Sequence, residues 1–309
     1  MPDLQGARRQ RGDPRTRPRI SRAHFANLAD LFNPSTFRHI DALGIRPGWR
    51  CWEVGAGGPT VPAWLARRVA PGGYVLATDI DVAALREATN DAAPQVASDD
   101  AVLQEAIDGA PPETLDPAPP ETLDAAPPER ARPRFEVLRH DVAAEPAPAA
   151  GFDLVHARLV VMHLAHRGAA LAAMTGALRP GGWLLIEDAD LSLQPLACPD
   201  EAGPAEQLAN KVRRVSVGLR GDNLAFGRTL PRLLRGAGLT EVGAGAYSPI
   251  AGPDSARLEQ TMIERQRDRL LAAGLLTAAE IDRHLADVAA GRLDLTTFTV
   301  VSAWGRMQR

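Results

Sequence analysis

Lysine is almost absent from this chain: Lys211 is the only one, and arginine makes up the rest of the 35 basic residues. With heavy alanine and proline use beside it, this pattern follows a high-GC coding bias, so an arginine count alone carries no functional reading. Cysteine is nearly as scarce. Cys51 and Cys198 match no metal-ligand spacing and cannot form a disulfide framework, which points to a reducing compartment. Cys51 opens an apolar segment and reads as a small buried residue. A positive excess is missing too: the net charge of −3 argues against a general nucleic-acid binder. No apolar run is long enough to cross a bilayer and no signal-peptide h-region is visible, so the expectation is a cytoplasmic protein without membrane contact.

The 309 residues suffice for one α/β domain with additions. The most informative stretch is Cys51–Trp64, CWEVGAGGPTVPAW. An apolar strand through Trp52 and Val54 leads into a turn with Gly55, Ala56, Gly57 and Gly58, and then a helix. Glycine there lets backbone approach a ligand closely, and the helix aims free N–H groups at whatever sits on the turn. Glu53, two residues before the first glycine, disfavours a phosphate and suits a cationic amine. An acid followed by Gly-x-Gly therefore points to S-adenosylmethionine more than to a dinucleotide. A dehydrogenase turn would need glycine where Thr60 stands.

Further segments complete a nucleoside site. Gly73–Ile80 reads as a second strand ending at Asp79, spaced to accept from ribose hydroxyls, with Ile80 as an apolar face for adenine. A third strand, Phe135–Leu138, leads to Asp141 and Val142, where Asp141 would accept from the adenine amino group. A fourth, Gly151–His156, precedes Ala157 and Arg158. Leu178–Asp188 supplies a Pro-Gly-Gly turn and a fifth strand.

These motifs in this order, EVGAGGP, ATDID, RHDV, FDLVHARLVVMHL and LRPGGWLLIED, resemble the class I S-adenosylmethionine-dependent methyltransferases. The resemblance is close over residues 40–190 and looser to the end, where TEVGAGAYSPI and LTTFTVVSAWGR look like a closing antiparallel pair. It implies a doubly wound, seven-stranded, mostly parallel Rossmann-like sheet with N-terminal helices and a helical insertion before the last strand. S-adenosylmethionine would be the cofactor, held at Glu53, Gly55, Ala56, Gly57, Asp79, Ile80, Asp141, Val142, Ala157 and Arg158. The chain departs from the family at Pro59, where a third glycine is common. Proline suits a first helical position and withholds one donor.

Residues 1–19 contain six arginines and few apolar groups and read as a disordered tail. The remainder, 20–309, reads as one methyltransferase domain. Within it, 20–44 form a helical cover, interrupted at Asn33-Pro34. Residues 89–134 are a Pro-rich acidic insertion in which APPETLD recurs with a period of about eight residues. Residues 201–228 and 255–292 are helical additions over the acceptor pocket, with Thr277 and Glu280 as a capping box.

Methyl transfer from a sulfonium needs a base only when the acceptor must lose a proton. His163, after strand four, and Glu187, closing strand five, are the catalytic candidates; no metal site is expected. His156 reads as a packing residue within strand four. Arg158 reads either as a cofactor ligand or as a partner of a nearby acid. The chain has neither an Asn/Asp-Pro-Pro-aromatic motif after strand four nor a cysteine nucleophile there. These absences favour a small-molecule acceptor, a hydroxyl or carboxyl, over nucleic acid. A protein or RNA methyltransferase, a non-catalytic cofactor-binding regulator and a homodimer stay open as alternatives.

Overall fold

The computed structural model describes residues 22–90, 135–193, 203–220, 224–250 and 252–308. The Arg-rich tail and the repeat-bearing stretch 91–134 lie outside them. Seven strands form one sheet in the order β3-β2-β1-β4-β5-β7-β6. In chain order they are β1 (Arg50–Val54), β2 (Tyr74–Asp79), β3 (Glu136–Arg139), β4 (Phe152–Arg158), β5 (Leu178–Asp190), β6 (Thr240–Tyr247) and β7 (Thr299–Arg306). The first five run parallel, and β7 inserts antiparallel between β5 and β6. β1 and β4 are buried almost end to end because helices cover both faces.

Those helices are α1 (Arg22–Ala42), α2 (Thr60–Val69), α3 (Ala83–Asn90), α4 (Arg167–Gly176), α5 (Pro204–Gly218), α6 (Leu230–Gly236), α7 (Pro253–Ala272) and α8 (Ala278–Ala289). On one face Trp52, Val155 and Leu184 pack with Met174 of α4 and Leu230 of α6. On the other, Cys51, Val75 and Leu185 pack with Ile40 of α1 and Leu65 of α2. A third cluster joins Leu31 and Phe32 of α1, Leu258 of α7 and Phe298.

The expected break at Asn33-Pro34 does not occur; α1 runs through Pro34. Proline removes one helical hydrogen bond, but Leu31 and Phe32 before it and Ile40 after it are buried in two different clusters. Tertiary packing on both sides carries the helix across. The capping box is present as expected: the Thr277 hydroxyl accepts from the Glu280 N–H at 3.2 Å, and Glu280 accepts from the Thr277 N–H at 2.8 Å.

Candidate active site

Ligands of a doubly wound sheet sit at the carboxyl ends of its strands, and the glycine turn closes β1 there. Gly55 and Gly57 both hold φ at +62°, a region that disfavours side chains. A Cβ on Gly55 would lie 2.4 Å from Val160 Cγ2, and one on Gly57 2.4 Å from Phe25 Cε1. Both glycines are therefore required by space as well as by backbone, and the ring of Phe25 covers the turn. Ala56 donates to Thr78 at 3.0 Å, tying the turn to β2.

Gly57 donates its N–H to Asp79 Oδ2 at 2.9 Å, and Asp81 donates to Oδ1 at 3.0 Å. A carboxylate has about four lone-pair sites, so Asp79 retains acceptor capacity. Burial raises its pKa, against the opposing pull of these backbone donors. Beside it Ile80 is 66% exposed, an apolar face left uncovered. Pro59 has helical φ and ψ of −82° and −10° and accepts from Ala63 at 2.9 Å, so it leads into α2 without a break.

Behind the turn lies a buried ionic network. His156 Nδ1 is 2.6 Å from Glu53 Oε2, and its Nε2 is 3.3 Å from Glu187 Oε2. The strands set this up: Glu53 of β1 pairs directly with His156 of β4. Burial opposes a charged imidazole, but Glu53 and Glu187 outweigh it and raise His156 to about 9. It is an imidazolium at neutral pH. Thr36 donates to Glu187 Oε2, Ser302 donates to Oε1 at 2.6 Å, and His39 Nδ1 stands 3.6 Å from Oε1. Burial alone would raise Glu187; His156 and Arg158 reverse it and hold the acid well below the carboxylate range.

This is where the structure places Glu187, one of the two catalytic candidates. It is 1% exposed, and both of its oxygens are bonded within the chain. Glu53 likewise spends Oε2 on His156, leaving Oε1. Arg158 donates to Thr36 Oγ1 at 2.9 Å, and its charge is felt by Glu187 and Glu53. Ala157 and Val142 are core residues, packed with Trp52 and Phe152, so neither offers a side chain to a ligand. Asp141 Oδ1 accepts from Ala143 at 2.9 Å in the turn after β3. His163 is the exposed last residue of a 3-10 turn after β4, Val161–His163, whose first residue Val161 is buried. Asp188 is buried beside Glu187, accepts from Met162 at 3.2 Å, and burial raises its pKa well above the usual range.

Residues 52–184 match the family model described as a methyltransferase domain. This segment, somewhat less than half of the chain, is similar to that family of methyltransferase domains. It is 26% identical over 255 residues to an uncharacterized 37.1 kDa transposon protein of Streptomyces fradiae, covering 82% of this chain and 61% of that protein. A methyltransferase of the fungus Strobilurus tenacellus is 48% identical over 48 residues, 15% of this chain and 18% of that one. Haemonchus contortus phosphoethanolamine N-methyltransferase 2, solved with phosphomonomethylethanolamine and S-adenosylhomocysteine, shares the fold. It superposes at TM-score 0.50 with 14% identity, covering 92% of this chain and 57% of that chain. The chain thus spans less than two thirds of the length of each of these relatives.

For a methyltransferase cofactor the residues present fit: two glycines whose Cβ atoms have no room, an acid with spare acceptor sites, and an uncovered isoleucine beside it. Sequence reasoning missed the network that this chain builds around Glu187. Thr36, His39 and Ser302 come from α1 and β7, far from any motif, and carry no spacing signal. His156 had one signal, its place opposite Glu53, which becomes visible only with the register of β1 on β4. Among the described residues no cluster of metal-ligating side chains exists, and no helix is long and apolar enough to cross a membrane.

Proposed function

We propose that this chain transfers a methyl group from S-adenosylmethionine by in-line displacement to a small-molecule acceptor oxygen, a hydroxyl or carboxyl. The observation that carries the reading is the Gly57–Asp79 hydrogen bond, which joins a glycine turn with two positive-φ positions to a ribose-type acceptor. When bound, the cofactor supplies an electrophilic methyl on a sulfonium, whose displacement relieves a positive charge. Asp79 accepts from the ribose hydroxyls, Ile80 covers the adenine, and Asp141 reads its amino group. The N–H groups and carbonyls around Gly55 and Ala56, with the free Oε1 of Glu53, receive the amino-acid end. Ala157 and Val142 contribute through backbone alone.

The Glu53–His156–Glu187–Arg158 network balances two negative charges against two positive ones, so the floor of the site neither repels nor traps a cation. Its role is to hold Glu53 in place rather than to move protons. His163 remains the proposed general base, because it is exposed at the strand end that faces the cofactor. The helix α1 would act as the cover, and α5, α7 and α8 as the roof of the acceptor pocket. Orientation in such an enclosed site accounts for roughly 7–11 kcal/mol of barrier lowering.

The experiment is a calorimetric titration of S-adenosylhomocysteine into the chain and into Asp79→Ala. Saturable binding that the variant loses supports the reading, and equal binding by both rejects it. The acceptor class is tested by product release with hydroxylated, carboxylated and amine-only compounds. Turnover confined to amines would move the proposed reaction from oxygen to nitrogen.

A further inference from the structure

Three of the six arginines on α5 and α7 are paired with acids. Arg213 makes two 3.1 Å bonds to Glu259, Arg267 pairs with Asp282, and Arg257 pairs with Asp254. Arg220, Arg265 and Arg269 are different: among the described residues none has a carboxylate within 4.0 Å. They are nonetheless brought together. Arg265 and Arg269 are four residues apart on α7 and share a face. Ser216 of α5 donates to Gln266 at 3.2 Å, and Arg269 donates to the Leu219 carbonyl at 2.8 Å. These two bonds clamp the end of α5 on that face, which brings Arg220, the next residue, beside both guanidiniums. Burial, then repulsion from Arg269 and Arg265, lowers the pKa of Arg220. Glu259, the acid that acts on it in the opposite sense, is already committed to Arg213 and His284.

The place of this cluster matters. Asn27 of α1 donates to Thr261 at 3.2 Å, and Asp30 stands 3.8 Å from Arg257, so α1 and α7 run antiparallel. One turn further along the pair, Arg265 is level with the first turn of α1, just before Phe25, whose ring covers Gly57 of the cofactor turn. Met262, one turn before Arg265, packs against the same buried cluster as Leu28 of α1 and Met162 and Leu159 after β4. The cluster therefore stands beside the N-terminal end of α1, the helix that carries Phe25 over the cofactor turn.

We propose that Arg220, Arg265 and Arg269 form an anion subsite that receives a phosphate or carboxylate group of the methyl acceptor. Guanidinium forks match both groups with two parallel hydrogen bonds each, and like charges gathered without acids are satisfied by an anionic ligand. The proposal rests on the methyltransferase reading only for the statement that the anion belongs to the acceptor.

The test titrates the full chain at constant ionic strength with inorganic phosphate, with acetate, and separately with S-adenosylhomocysteine. One of the two anions saturates a single site, and Arg220→Met weakens it tenfold or more. Which anion binds tighter tells phosphate from carboxylate. In anion-free buffer Arg220→Met melts at or above the parent temperature, because a repelled cation has been removed; in saturating anion it melts below. Absence of saturable binding of either anion overturns the subsite, and so does undiminished binding by Arg220→Met. An equal fall in melting temperature for Arg220→Met and Asp222→Asn in anion-free buffer also overturns it, since the charge would then be matched within the chain. Nucleoside binding without anion binding removes the subsite and leaves the methyltransferase reading standing. Anion binding without nucleoside binding does the reverse.

Discussion

His156 Nδ1 lies 2.6 Å from Glu53 Oε2, so the acid that opens the cofactor turn is held from behind by a buried imidazolium. This bond ties the stability of the whole site to one proton. The His156 pKa is raised above that of an unfolded histidine, so its contribution is complete below about pH 6.5 and disappears as pH rises through about 9. Denaturant unfolding from pH 6 to pH 10 is expected to show stability falling between pH 7 and pH 9. In His156→Asn that slope disappears, together with about 3–5 kcal/mol at pH 6, because two buried carboxylates lose their counter-ion. A variant that kept the slope would place the titration elsewhere.

Glu187 and Asp188 are neighbours in sequence whose acidities are pushed in opposite directions. His156 holds Glu187 ionised, whereas burial raises the pKa of Asp188 well above the usual range. Glu187→Gln removes the charge that balances His156 and is expected to cost several kcal/mol. Asp188→Asn puts an uncharged amide of the same shape where burial disfavours a charge, still accepting from Met162, and is expected to cost under about 1 kcal/mol at pH 7. Equal costs in urea unfolding would contradict the assigned charge states.

Asp79→Ala removes the acceptor for the ribose and the partner of the Gly57 N–H. A hydrogen bond to a charged group contributes about 1.5–3 kcal/mol, so S-adenosylhomocysteine affinity should fall about 10- to 150-fold. The melting temperature without ligand is the control, and a small change there keeps the loss local.

Gly55→Ala meets two obstacles, a positive φ and Val160 Cγ2 at 2.4 Å from the new methyl group. The backbone obstacle alone is about 1–2 kcal/mol. Adding Val160→Ala should restore part of the cofactor affinity by making room, leaving the φ cost. If the double variant binds no better than Gly55→Ala, the steric account fails.

Much of the fold was legible because its signals are local. The buried runs of β1, β2, β4 and β5, the glycines after β1 and the Thr277–Glu280 cap are each set by neighbours within a few residues. The break expected at Pro34 was misread because proline reports only the lost hydrogen bond. What overrides it is the burial of Phe32 and Ile40 in separate clusters. The surroundings of Glu187 were not legible for a related reason: Thr36 and Ser302 reach it from opposite ends of the chain.

The amino-acid order by itself determined the strand–turn–helix that receives a nucleoside, since glycine placement, an acid at position 79 and apolar strand patterning act over short range. Tertiary structure alone decided which charges are paired. Whether Glu53 and Glu187 meet a histidine, or Arg220 meets two more arginines, depends on strand register and helix packing across gaps of 31 to 103 residues in the first case. Electrostatic energy inside a protein depends on distance and burial, and neither is written in sequence spacing.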